Sequence, residues 1–323
     1  MRISTRILRS ARALLLMLCG VALVGCDTVG MMALHGTNLL ARTGAYTHEG
    51  DVVYGPLDRH HLDVYTPTMG EPPYPVVVFI HGGDWSDGYP DKDMYRFVGD
   101  ALTSRGIVAV VPNYRRFPTA RFPDFIEDAA QALVWTYENV EAFGGDPDGI
   151  FLMGHSAGAH IGSMVALNDR YLREVGGDRS WIRGFVGMAG PYSFPYMDDN
   201  DAFVEVFGAK DAYPRSQPIN YVAGDAPPTL LVHGAKDDRV PLETMIRMAQ
   251  QMDAVGAPAE TITYENLCHI MVLGSFAVPV RWGEPVLNDL TAWVNAQYEH
   301  PLPVPPQRTA SDMALQQDQR NRQ

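Results

Sequence analysis

Apolar residues in this chain fall into two patterns. Short runs of apolar and β-branched residues, Val76–Ile80, Ile107–Val111, Ile150–Met153, Phe185–Ala189 and Thr229–Val232, read as strands buried on both faces. Between them, apolar positions recur at helical spacing. Phe122, Phe125, Ile126, Ala129, Leu133, Val134, Tyr137 and Val140 share one face, and Gly144-Gly145 ends that helix. Asp91–Ser104, Ala159–Leu167, Glu243–Val255 and Val286–Tyr298 are predicted as further helices. Val52–Tyr54 and His61–Tyr65 alternate apolar with polar and predict an antiparallel pair joined near Gly55-Pro56; Glu260–Tyr264 is a late strand. Alternating strands and helices predict a doubly wound, mostly parallel α/β sheet with helices on both faces. The long irregular stretch 192–228, rich in aromatic residues, Asp and Pro, is expected to form a small cap.

Ligands in such sheets sit beyond the carboxyl ends of the strands. His81–Trp85, Ser156, Gly190, Asp237 and His269 all follow predicted strand ends. Ser156 lies in Gly154-His155-Ser156-Ala157-Gly158, between a strand and a helix of small residues. That is the setting of a nucleophile elbow, where a strained serine backbone leaves room only for small neighbours. Serine is a weak nucleophile without an adjacent base. His269 follows the last strand after a short loop and is the candidate base; His160, inside the elbow helix, reads as a packed histidine. The orienting acid is Asp237, with its neighbour Asp238 as the rival, and either also suits a plain turn. Backbone N–H groups of Gly83, Asp84 and Ala157 are the candidate oxyanion donors. Trp85, His155 and Tyr192, with Phe194 and Tyr196, are assigned to a substrate pocket, core packing being the competing role.

The amino terminus adds a second theme. Arg2, Arg6, Arg9 and Arg12 precede an apolar run, Ala13–Val24, too short for a comfortable membrane span, which stops at Gly25-Cys26. This resembles a bacterial lipobox and implies a signal peptide over 1–25 and a diacylglyceryl group on Cys26. A lipidated Cys26 and lead-in then occupy 26–47, a catalytic domain 48–300 and a disordered tail 301–323. The protein is expected in the cell envelope, lipid-anchored and facing the periplasm, with Asp27 favouring the inner membrane. The formal net charge is −13, and removing four arginines with the signal lowers it to −17. So acidic a chain is a poor nucleic-acid partner. Cys19 lies in the signal and Cys26 is the lipidation site, so Cys268 is expected as a small buried residue without a disulfide.

Several motifs together resemble the α/β-hydrolase carboxylesterases with an H-G-G-x-W oxyanion loop. This is the branch of prenylcysteine methylesterase-like and kynurenine formamidase-like enzymes, related to hormone-sensitive lipase. The motifs are His81-Gly-Gly-Asp-Trp85, Asn113-Tyr-Arg115, Phe143-Gly-Gly-Asp-Pro147, Gly154-His-Ser-Ala-Gly-Ala-His160 and His233-Gly-Ala-Lys-Asp-Asp-Arg-Val-Pro241. The resemblance implies the α/β-hydrolase fold, a Ser156–His269–Asp237 triad, no metal or other cofactor, and a small-molecule ester as substrate. Asp84 departs from the third glycine of the lipase relatives. The same machinery serves amide hydrolysis, as in an aryl formamidase or small peptidase. A non-catalytic envelope-binding protein on the same fold is the remaining alternative. The sequence leaves the acyl group, the alcohol and the oligomeric state open.

Overall fold

The computed structural model describes residues 36–194, 201–278, 280–281 and 283–299. The expected signal peptide, the expected lipidation site Cys26, the pocket candidate Tyr196 and the expected tail from 301 lie outside the described residues. Eight strands form one sheet: β1 (Tyr46–Val53), β2 (His61–Pro67), β3 (Tyr74–Ile80), β4 (Val108–Pro112), β5 (Gly145–His155), β6 (Ile182–Met188), β7 (Thr229–Gly234) and β8 (Ala259–Tyr264). Their order is β1-β2-β4-β3-β5-β6-β7-β8. β2 pairs antiparallel with β1 and with β4, and every other pairing is parallel. This is the α/β-hydrolase sheet.

Every residue of β3, β4, β6 and β7 is buried, which explains their continuous apolar runs. Alternate side chains serve opposite faces. Val76, Val78 and Ile80 join one core with α2 (Asp124–Asn139), α3 (Ala157–Leu167) and α6 (Glu243–Ala254). Val77 and Phe79 join a second core with α1 (Arg96–Thr103) and α8 (Val286–Glu299). Three short helices are also present: α4 (Arg170–Glu174), α5 (Asp201–Phe207) and α7 (His269–Gly274).

Boundaries differ from expectation where geometry intervenes. The first predicted helix is a 3₁₀ turn, Lys92–Tyr95, running into α1. The long helix ends at Asn139 and tightens into a 3₁₀ turn closed by Gly144, whose φ of 76° suits glycine. The lead-in reaches the domain sooner than position 48: Ala41 is buried, and Tyr46 already pairs with Pro67. The irregular stretch before β7 carries α5 and two 3₁₀ turns, Tyr213–Ser216 and Pro218–Tyr221.

Candidate active site

β5 delivers Ser156 at the centre of the sheet, and α3 leaves from it at once. Ser156 adopts φ 57°, ψ −125°, a left-handed conformation that costs a non-glycine residue on the order of 1–3 kcal/mol. Three things hold it there. Its N–H donates to the Met188 carbonyl at 2.9 Å. A Cβ on Gly154 would strike the Gly158 carbonyl, and one on Gly158 would strike the carbonyls of Ile80 and His81. Both flanking glycines are thus steric requirements.

His269 opens α7, beyond the end of β8. Its Nε2 lies 2.9 Å from Ser156 Oγ, and its Nδ1 lies 2.8 Å from Asp237 Oδ2. A carboxylate only accepts, so Nδ1 carries the proton and Nε2 is left to accept the serine hydroxyl's. Asp237 is fixed in turn: Oδ1 accepts the N–H groups of Arg239 at 3.0 Å and Val240 at 2.8 Å. The Nε2 of His233, donated to the Val240 carbonyl at 2.9 Å, is also 3.2 Å from Asp237 Oδ2. Burial alone would raise the Asp237 pKa. The hydrogen bonds from His233 and His269, the charge of His269 and the Val240 N–H more than offset it, and hold the carboxyl below the usual range. The rival Asp238 is exposed, whereas the Asp237 side chain is 1% exposed. The geometry therefore brings Ser156, His269 and Asp237 into one hydrogen-bonded row.

The loop after β3 lies against this row. A Cβ on Gly82 would sit 3.1 Å from both Ser156 Cβ and the His155 carbonyl oxygen. Gly83, Asp84 and Trp85 follow with φ of 127°, 48° and 56°. The loop's carbonyls are tied down: His81 Nδ1 donates to the Gly82 carbonyl at 2.8 Å, and Tyr114 Oη to the His81 carbonyl at 2.8 Å. His81 is stacked between Tyr95 and Tyr114. Tyr114 therefore gives the Asn113-Tyr-Arg115 motif a physical role that sequence reasoning missed. Arg239 donates to Asp84 Oδ2 at 3.1 Å, linking the acid loop to the oxyanion loop. Ala157 opens α3, so its N–H belongs to the first turn, whose amides lack partners within the helix.

Three pocket candidates are buried and placed as follows. Tyr192 is wholly buried, its hydroxyl filling the space beside Gly187 and Gly190, and lines no open surface. Trp85 is 5% exposed and enclosed by Phe194, Phe203 and Phe207 at centroid distances of 6.1, 5.8 and 4.9 Å. Its Nε1–H donates to His160 Nδ1 at 3.1 Å, and His160 Nε2–H donates to the Ser216 carbonyl at 2.7 Å. His160 is thus the packed, bonded histidine the sequence suggested. His155 points at the base loop: its Nε2 lies 2.9 Å from the His269 carbonyl oxygen. Cys268, just before the base, is disulfide-bonded, against the expectation of a plain thiol.

Burial makes three histidines acid-sensitive. It pushes His81 and His160 down to about 4, and His155 to about 3 with His269 adding to the shift. Each folded pKa is below the ordinary 6.5, so the unfolded chain protonates first as pH falls. Their contribution is complete above pH 6.5 and is lost progressively towards pH 4 and then 3. Urea unfolding is expected to show a loss of roughly 2 kcal/mol per histidine between about pH 7 and about pH 5. Equal stability at the two pH values would contradict neutral burial.

The BD-FAE family model matches residues 62–252, and the chain belongs to that family. It is 31% identical over 268 residues to isoprenylcysteine alpha-carbonyl methylesterase of Arabidopsis thaliana, an alignment covering 76% of this chain and 62% of that protein. It is 30% identical over 240 residues to a probable carboxylic ester hydrolase, LipM, of Mycobacterium tuberculosis, covering 69% of this chain and 55% of that one. The chain thus spans less than two thirds of these relatives. Among solved structures it resembles a truncated carbohydrate esterase from gut microbiota, with a TM-score of 0.68 and 23% identity over 80% of this chain and 99% of that one. Esterase 2 of Thermogutta terrifontis gives 0.64 and 22% over 80% and 97%. At these identities the structural likeness speaks to the fold.

Proposed function

We propose that this protein is a serine hydrolase of carboxylic esters, with short acyl groups preferred. The observation that carries the proposal is the unbroken row from Ser156 Oγ through His269 to Asp237, at 2.9 and 2.8 Å. The relatives named as a methylesterase and a probable carboxylic ester hydrolase support the choice of bond.

In this reading Ser156 Oγ attacks the ester carbonyl while its proton passes to His269 Nε2. The imidazolium is stabilised by ionised Asp237. Negative charge on the carbonyl oxygen is met by the N–H groups of Ala157 and of Gly83 or Asp84. Collapse expels the alcohol, which takes the proton from His269, and leaves an acyl-serine. Water then attacks the acyl carbon and gives a proton to His269, which passes it to Ser156 Oγ as that oxygen leaves, releasing the acid and free serine. The preference for short acyl groups is supported by the aromatic residues beside the oxyanion loop, which pack ring against ring.

A panel of p-nitrophenyl esters of rising chain length, run beside N-formyl arylamines and peptide amides, tests this. The expected result is kcat/KM highest for acetate to butyrate, with amides far slower. Faster turnover of the formyl amide would move the assignment to an amidase.

A further inference from the structure

His155 occupies a position that neither pocket wall nor plain packing describes. Its backbone is the last residue of β5, directly before Ser156. Its side chain faces two other parts of the site. Nε2 is 2.9 Å from the carbonyl oxygen of His269, and since a carbonyl only accepts, Nε2 carries the proton and donates it. On the opposite side of the ring, Nδ1 lies 3.5 Å from where a Cβ on Gly82 would stand. The His155 and His269 rings are 4.9 Å apart at 44°. One buried side chain therefore bonds the base loop and lies beside the Gly82 turn while its own backbone forms the elbow.

We propose that His155 is a positioning residue for the reaction, holding the main chain of His269 in register with Ser156. The inference rests on the ester-hydrolase reading of the site. His269 has two ties to the elbow: the Nε2–Oγ bond used in chemistry, and the carbonyl bond to His155, which persists while the proton moves. The second tie keeps the imidazole in place once it has accepted the proton and no longer bonds Oγ as an acceptor. His155 suits this task because burial and the neighbouring His269 keep it neutral, so it does not repel the imidazolium. Displacing a catalytic group by about 1 Å costs on the order of 100-fold in rate. A side chain that fixes the main chain of the base has that leverage without touching substrate.

The contrast that tests this is His155→Phe against His155→Gln. Phenylalanine fills the space without a donor; glutamine reaches about as far and donates. With p-nitrophenyl acetate and active sites counted by fluorophosphonate titration, His155→Phe is expected to lower kcat about 10- to 100-fold with KM nearly unchanged. His155→Gln is expected to recover most of that loss. A packing role would instead lower the melting temperature and leave kcat per titrated site intact. Equal kcat in wild type and His155→Phe overturns the inference, as does a loss confined to KM or shared equally by the glutamine variant. If His155→Phe does not fold, His155→Met against His155→Gln carries the same contrast. Wild-type protein without esterase activity would instead sink the underlying assignment.

Discussion

Ser156→Ala is expected to lower kcat for p-nitrophenyl acetate by roughly 10⁵- to 10⁶-fold, with KM little changed. The substitution removes the one oxygen that His269 Nε2 faces at 2.9 Å, and nothing that shapes the binding surface. No other described side-chain hydroxyl is bonded to that nitrogen, so no neighbour substitutes for it. Some catalysis over water remains, because the backbone donors around the carbonyl oxygen are untouched. The fold is expected to be unharmed. Alanine adopts the same φ of 57° at similar cost, and the glycines at 154 and 158 that make room for the elbow remain. Steady-state kinetics on the purified variant, with a melting curve alongside, checks both halves. Activity within tenfold of wild type would remove Ser156 from the chemistry.

Asp237→Asn should cost about 10⁴-fold in kcat, for a reason specific to this site. Oδ1 of Asp237 accepts two backbone N–H groups, from Arg239 and Val240. An asparagine keeps its carbonyl oxygen on those donors, which turns its NH₂ towards His269 Nδ1. The imidazole must then accept at Nδ1 and carry its proton on Nε2, where it can no longer take the proton of Ser156. The inactive tautomer is enforced while every atom stays near its place. Asp238→Asn is the control, since that side chain is exposed, and its kcat should match wild type. An equal loss in both variants would mean that the acid loop is merely disturbed. Full activity in Asp237→Asn would mean that another carboxylate orients the base.

Much of this was legible in the sequence, for identifiable reasons. Strands buried on both faces leave continuous apolar runs, so β3 to β7 and their alternation with helices were visible. The sharp turn at Ser156 demands small residues, so Gly154 and Gly158 announced it. Chain order singled out His269, and the motif singled out Asp237. Without that motif the residues left Asp238 as a rival, because the difference is one of direction: the Asp237 side chain points inward to His233 and His269, and Asp238 is exposed. The pocket candidates could not be separated from core packing for the same reason. Trp85, His155 and Tyr192 have the right character for a pocket, but which way each faces depends on partners far along the chain. His155 meets a carbonyl 114 residues away, and Trp85 a histidine 75 residues away. The tie from Arg239 to Asp84 spans 155 residues and left no local pattern. His233 stood in plain view within the quoted motif, yet its contact with the acid follows only from the fold. The 3₁₀ ends of helices and the short α7 are set by packing and escape a periodicity reading.

The central claim is that Ser156 is the nucleophile of one hydrolytic site. Its most direct measurement is mass-spectrometric mapping of the protein after inactivation with a fluorophosphonate. The expected result is one adduct, on the peptide carrying Ser156, whose appearance keeps pace with the loss of ester hydrolysis. Hydrolysis that continues when Ser156 is fully modified, or inactivation with the adduct elsewhere, would contradict the account.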